Sequence, residues 1–453
     1  MSRKITKDFI EFVKENPTIF HVVNAMGEGL EKAGFIKLSE EEEWKLKAGG
    51  KYYVTRNDSS IIAFTLPGKD FSGFQIVSAH SDAPGFKLKG LDAELVEGPY
   101  IKLNVETYGG LLLYPWLDRP LSLAGRIMVK ERGRIKSKLV KIDRNLLTIP
   151  SVAIHMNREV NKGYEFNPQV DMLPLLGLTE ITANQDNKKS AEDEKVLLTL
   201  LAETAKVKRE NILSCDLFVY DRTPGSIWGL KEEFYSSAHI DDLQCAYTAY
   251  RALMEAKAKK GAAGKNTAIP MVAIFDNEEV GSLTKQGADS TFLFDVVSRI
   301  NESCGRTGQD LRRAIANSMM VSADNGHALH PNHPELHDPK NRPVINGGIV
   351  IKHAANQKYT TDAVSAALFK EICREAGVPY QEFYNRSDKV GGGTLGNVSN
   401  AHVSLNTVDI GLPQLAMHSP YETAGVKDTE YLVKAFKVFF ERTLRVTGGY
   451  RFE

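Results

Sequence analysis

Four short apolar runs, residues 74–79, 271–275, 319–322 and 415–417, each stop at a histidine or an acid. The first leads into His80 and Asp82, the second into Asp276, Asn277, Glu278 and Glu279, the third to Asp324 and the fourth to His418. Runs of this length read as strands, and strand–helix alternation after residue 236 makes them strands of an α/β sheet. In open sheets of this kind ligands bind beyond the carboxyl ends of the strands, so side chains hundreds of positions apart can meet there. Each fragment alone is ambiguous. A His-x-Asp after a strand also describes a hydrogen-bonded pair. An adjacent Glu-Glu also describes a solvated helix start favoured by the helix dipole, and Asp324 and His418 taken singly are loop residues. Their conjunction sets them apart. Imidazole and carboxylate donors in one place suit a divalent metal, Zn²⁺ or else Mn²⁺ or Co²⁺.

A chain of 453 residues exceeds one typical domain, so two or three are expected. It opens with two helices, the first with Phe9, Phe12 and Val13 on one face, the second after Pro17 with Thr18 as cap and Gly34 as stop. Strands follow up to residue 79. From about 92 to 235 the texture becomes short alternating strands, with a hairpin around Gly133 and one helix near 190–203 after a polar loop at 183–189. The simplest architecture is an α/β domain made of residues 1–91 and 236–453, with a β-rich domain inserted at 92–235.

Lysine plus arginine number 57 and aspartate plus glutamate 57, a formal net charge of zero. That excludes nucleic acid or an anionic membrane surface held by bulk electrostatics, while a small charged substrate needs only local charge. Four cysteines without a CxxC pair (Cys215, Cys245, Cys304 and Cys373) read as reduced thiols. The N-terminus shows no apolar signal segment, and no run approaches the ~20 residues of a membrane span. A cytoplasmic protein is expected.

Four other features have two readings each. His155 is either an ordinary buried histidine on a strand or a site residue. The close spacing of His327, His330, His333 and His337 invites a metal box, but Pro331 and Pro334 prevent the helix that would align them. Lys352 is either a strand lysine facing solvent or a cation for a substrate carboxylate. The Gly391-Gly392-Gly393-Thr394-Leu395-Gly396 stretch lacks the context of a phosphate loop.

Taken together, Ser78-Ala79-His80-Ser81-Asp82, Asp276-Asn277-Glu278-Glu279-Val280-Gly281-Ser282, Ser322-Ala323-Asp324, His330-Pro331-Asn332 and Met417-His418-Ser419 resemble the M18 family of metalloaminopeptidases. Gln286-Gly287-Ala288 and Asp409-Ile410-Gly411 match as well, and the similarity runs over essentially the whole chain. The resemblance implies a three-layer α/β zinc-peptidase-like catalytic domain with an inserted β-rich dimerisation or lid domain. It also implies dimers joined into a dodecamer, peptide substrates and two metal ions bridged by Asp241, in His239-Ile240-Asp241-Asp242-Leu243. His80 and Asp324 would complete one ion, Glu279 and His418 the other. A bridging carboxylate fits ions about 3.5–4 Å apart. The family usually has Asn where this chain has Asp242, whose extra carboxylate either alters metal preference or is solvated.

Under that resemblance Glu278 is the general base for a metal-polarised water and Asp82 fixes the tautomer of His80. His155 reaches into a neighbouring subunit's site to contact substrate or stabilise the oxyanion, or alternatively ligates a metal. Lys352, Tyr359 and Arg386 line the substrate pocket, with Lys352 at the position that helps aspartyl members read an acidic side chain. The glycine stretch replaces a Cys-Gly-Ser-Thr-type segment of many aspartyl members, and Trp116-Leu117-Asp118-Arg119 is closer to the neutral-preferring branch. The expected function is therefore metal-dependent removal of a neutral or acidic N-terminal residue. The competing readings are a related di-metal amidohydrolase (carboxypeptidase or deacylase) and a self-assembling structural or cargo protein without turnover.

Overall fold

The computed structural model describes residues 2–179, 195–257 and 267–453. A nine-stranded sheet forms its centre, in the spatial order Ile36–Leu38, Lys51–Arg56, Ser60–Thr65, Ile269–Phe275, Phe74–His80, Met319–Ala323, Asn406–Gly411, Ile349–His353, Tyr380–Tyr384. The four strands from Ile269–Phe275 to Asn406–Gly411 run parallel. Every residue of Phe74–His80 and of Met319–Ala323 is buried, which is why these segments read as apolar runs without alternation: helices cover both faces.

Alternate side chains feed two cores. Val77, Ala79, Val272, Ile274 and Val321 face a core shared with Ile240–Glu255, Asp428–Phe440, Ile19–Lys32 and Ala363–Ala376. Phe74, Ile76, Met271, Ala273 and Met320 face the opposite core, closed by Phe292, Leu293, Val296, Val297 and Ile300 of the Phe292–Ser303 helix. This is a three-layer α/β/α arrangement, as expected.

The β-rich part has its own core around Phe86, Trp116, Leu123, Val129, Leu197 and Leu217. Its main sheet is antiparallel, ordered Arg134–Lys141, Leu121–Glu131, Ile212–Asp221, Gly85–Leu88, Val105–Tyr108. The expected hairpin is there, with Gly133 at φ +78° in the turn. Gly85–Leu88 pairs in this sheet, so the chain leaves the large sheet at residues 81–84, upstream of 92. It returns after Asp221: Ser226–Trp228 and Phe234–Ser237 join a third sheet with Glu422–Gly425, Pro413–Leu415 and Gly326–His327. The helix near 190–203 is described as Val196–Ala205, while its first residues and the 183–189 loop lie outside the described residues. Among the described residues no helix is long and apolar enough to cross a membrane.

Local signals were read with one difference. Gly34 does stop the second helix, at φ +85°. Thr18 sits at the N-cap, but its hydroxyl pairs with His21 Nδ1 at 2.8 Å instead of a backbone N–H. Burial, with the Lys141 charge nearby, lowers His21 to about 4. The unfolded chain then binds a proton below pH 6.5 that the folded chain refuses, so stability declines as pH falls from 6.5 towards 4. Thermal unfolding across that window will show a falling midpoint in the wild type and a shallower fall in His21→Asn.

Candidate metal centre

Three neighbouring parallel strands of the large sheet end side by side: Ile269–Phe275, Phe74–His80 and Met319–Ala323. Their carboxyl ends deliver Glu278 and Glu279, His80 and Asp82, and Asp324 to one place. His418 arrives differently. The run at 415–417 ends a strand of the third sheet, and His418 stands in the connection to Glu422–Gly425, at φ +68°. Asp241 comes from the start of the Ile240–Glu255 helix, where Asp241 (φ −81°, ψ 116°) and Asp242 (φ −115°, ψ 22°) depart from helical geometry. That departure turns the Asp241 side chain out of the helix and into the site.

Asp241 lies at the middle of the cluster. Its Oδ1 is 3.7 Å from His80 Nε2, and its Oδ2 is 3.5 Å from His418 Nε2. His418 Nε2 is also 3.4 Å from Glu279 Oε1. Donor atoms of His80, Asp241 and Glu279 all lie within 4.8 Å of one another, as do those of Asp241, Asp242 and Asp324. The buried Asp241 Oδ1 and Asp242 Oδ1 have no hydrogen-bond partner among the described residues. Buried carboxylate oxygens left unpaired are costly, and a divalent cation is the partner that satisfies them. The donor set, two imidazoles and four carboxylates, fits divalent metals that accept nitrogen and oxygen.

The electrostatics agree. Burial and the surrounding acids lift Glu278 to about 8, and burial lifts Asp324 to about 6 despite the Lys352 cation. Burial works against the His418 imidazolium, yet Asp241 and Glu279 outweigh it and hold it up at about 11. The pocket carries more negative charge than it can accommodate alone.

The layer behind these donors is hydrogen-bonded throughout. Asp82 differs in part from its expected role: His80 Nδ1 meets the Asp82 backbone oxygen at 3.0 Å and its carboxylate at 3.3 Å. The Asp82 carboxylate also accepts from the backbone N–H of Glu278 and of Glu279, each at 3.1 Å, and so fixes the turn that carries both acids. Glu422, 2% exposed, accepts from the backbone N–H of Asp241 at 3.0 Å and of His418 at 2.7 Å. One buried carboxylate thus ties together two elements 177 residues apart in sequence, the difference 418 − 241. Asp242 is fully buried and accepts from the His80 N–H at 3.2 Å, so its extra carboxylate is not solvated. Glu422 and Tyr108, which donates to Asp82 at 2.8 Å, were missed from sequence. The only signal for Glu422 was its place four residues beyond His418.

The remaining expected residues divide. Lys352 is 3% exposed and faces neither solvent nor open pocket: its Nζ donates to the Asn325 carbonyl at 2.7 Å and lies 3.7 Å from Asp324 Oδ1. Tyr359, also buried, places its ring 5.6 Å from that Nζ. Arg386 is held by Asp388 through two contacts of 2.8 Å at the edge of a cleft of ≈ 390 Å³. His327, His330, His333 and His337 line the same cleft. Ring nitrogens of three of them serve local bonds: His337 Nε2 accepts from the His330 backbone N–H and His330 Nδ1 from Asn332 N–H, each at 3.2 Å, and His333 Nδ1 meets Glu335 at 3.1 Å. Among the described residues these histidines form no group of metal-donor spacing. His155 is neither on a strand nor buried; it lies in an exposed turn outside the cluster.

Comparison with known proteins agrees with this geometry. The model of the aminopeptidase I zinc metalloprotease family (M18) matches residues 12–440. A probable M18 family aminopeptidase 2 of Clostridium acetobutylicum is 45% identical over 442 residues, covering 96% of this chain and 98% of its own. A probable aspartyl aminopeptidase of Ricinus communis is 37% identical over 468 residues, covering 96% and 95%. The S. cerevisiae mApe1 dodecamer structure superposes with a TM-score of 0.83 at 33% identity, covering 97% of each chain. The chain therefore belongs to the M18 family of zinc metalloproteases, and is a metalloaminopeptidase, a hydrolase of peptide bonds.

Proposed function

We propose that this chain removes single N-terminal residues from peptides using two divalent ions, most simply Zn²⁺, with Mn²⁺ and Co²⁺ accepting the same donors. The supporting observation is Asp241, whose two oxygens face two histidines from opposite sides, His80 at 3.7 Å and His418 at 3.5 Å. His80 and Asp324 serve one ion and Glu279 and His418 the other, with Asp241 shared. When bound, such ions would supply Lewis-acid polarisation of a water and of the scissile carbonyl, and counter-charge for the acids around them.

The chain's own groups do the rest. Glu278 takes the water's proton and passes it to the leaving amine. Glu279 is occupied as a ligand, which is why two carboxylates stand in succession. Asp82 holds the turn beneath both and orients His80. Lys352 balances Asp324 from behind the donors, Tyr359 packs against its ammonium, and Arg386 borders the cleft offered to the first side chain. Both cations, Lys352 and Arg386, are already matched by an acid, which is compatible with neutral and acidic residues alike.

His155 acts in trans, on the substrate or its oxyanion in a neighbouring subunit. It stands beside Val152, Ile154 and Met156, which are 53%, 45% and 84% exposed, an apolar surface of the kind a partner copy covers. Assembly into a dodecamer follows the mApe1 structure. A cytoplasmic location suits the four unpaired cysteines. The test is a substrate panel. Leu-, Met-, Asp- and Glu-anilides with a free α-amine will be cleaved after metal loading, and their N-acetylated forms will not. Cleavage of the N-acetylated forms would favour a deacylase or endopeptidase instead.

A further inference from the structure

The β-rich insert does more than border the site: its edge strand, Val105–Tyr108, continues as residues 109–112 straight through it. We propose that Tyr108, with the backbone of Gly109 and Gly110, is a positioning clamp by which the insert sets the catalytic geometry of its own chain. Two ends of the metal centre hang from this one stretch. At one end the Tyr108 hydroxyl donates to Asp82 Oδ2 at 2.8 Å and accepts from Asn277 Nδ2 at 2.8 Å. Asp82 in turn holds the N–H groups of Glu278 and Glu279. At the other end His418 Nδ1 meets the Gly110 carbonyl at 2.8 Å, and Leu112 N–H donates back to the His418 carbonyl at 3.1 Å. A carbonyl can only accept, so Nδ1 keeps its proton and Nε2 is the nitrogen that faces Asp241 and Glu279, the one that gives up its proton when a cation takes its place. The ring orientation of a metal ligand is thus fixed by the insert.

Between the two ends the strand passes so close that a side chain would press on Glu279. Gly109 has φ +72°, and a Cβ there would lie 3.1 Å from Glu279 Cβ and 3.3 Å from the Glu279 carbonyl. Tyr108 is braced from the insert's side by Phe218, edge to face at 5.6 Å between ring centroids. The consequence is functional: a shift of the insert reaches both acids and one histidine together.

The proposal rests on the two-ion reading, and its experiment separates the two. Metal affinity of the wild type and of Tyr108→Phe is measured by competition with a chromophoric chelator, alongside kcat, KM and thermal unfolding of the metal-free proteins. Removing a hydroxyl that orients ligands will weaken metal binding and lower kcat by about 10–100-fold. KM will stay within about threefold and the metal-free unfolding midpoint nearly unchanged. Phe218→Leu, which loosens the brace and leaves the hydroxyl, will shift metal affinity in the same direction by less. Wild-type metal affinity and kcat in Tyr108→Phe would overturn the clamp alone. A wild type that binds no metal would remove the two-ion reading and the clamp with it. A Tyr108→Phe protein with a lowered unfolding midpoint but full metal affinity would show the hydroxyl to be merely structural and overturn the clamp as well.

Discussion

Glu278→Gln will lower kcat by about 10²–10⁴-fold, the range that a positioned proton-transfer group contributes, while the protein keeps its metal. The side chain is nearly isosteric, so packing does not change. The turn beneath is held through the backbone, Glu278 N–H to Asp82 Oδ1 at 3.1 Å, and that bond survives the substitution. Glu279, not Glu278, is the acid facing His418, at 3.4 Å, so the donor set also survives. Only the capacity to accept and return a proton is lost. Metal content by atomic emission together with single-turnover hydrolysis of Leu-anilide checks this. A metal-loaded Gln variant with wild-type turnover would show that another group moves the proton.

Asp241→Asn will abolish the second ion. Among the described residues Asp241 is the one acid within 3.7 Å of both His80 and His418, and each of its oxygens faces one of them. An amide presents one oxygen and one NH₂, so one of the two faces acquires a donor where a lone pair is needed. Turnover will fall by more than the roughly 10–100-fold that loss of a supporting contact costs, and isothermal titration will show one tight ion in place of two. Metal-free stability will fall, because in the fold the Asp241 carboxylate, despite its burial, is held below its usual range by the His418 and His80 imidazoles, and the amide breaks that buried pairing. An Asn variant that binds two ions with wild-type affinity would exclude Asp241 as the bridge.

The central strands were legible because both faces are buried: 74–79 and 319–322 carry no polar alternation to confuse the reading. Their adjacency, which makes the ligands converge, was not legible, since strand order is set by packing rather than by any local signal. The run at 415–417 looked like a fourth strand of the same kind, but only Leu415 is strand, at the end of Pro413–Leu415 in the third sheet, and Ala416 and Met417 already turn. Three residues are too few to distinguish a buried parallel strand from a hairpin arm and its turn. The residues proposed as ligands stood out by residue type. Glu422 and Tyr108 did not, because they act on backbone N–H groups and on other side chains brought near by the fold, and a lone Glu or Tyr says nothing about such partners. Lys352 looked like a solvent or substrate lysine because sequence does not reveal the Asn325 carbonyl and Asp324 waiting for its ammonium.

The most direct test of the whole account is a stepwise metal titration of chelated enzyme, reading bound ions per chain and anilide turnover in the same samples. The account predicts two ions per chain, with turnover tracking occupancy of the second. Full turnover at one ion per chain would contradict it.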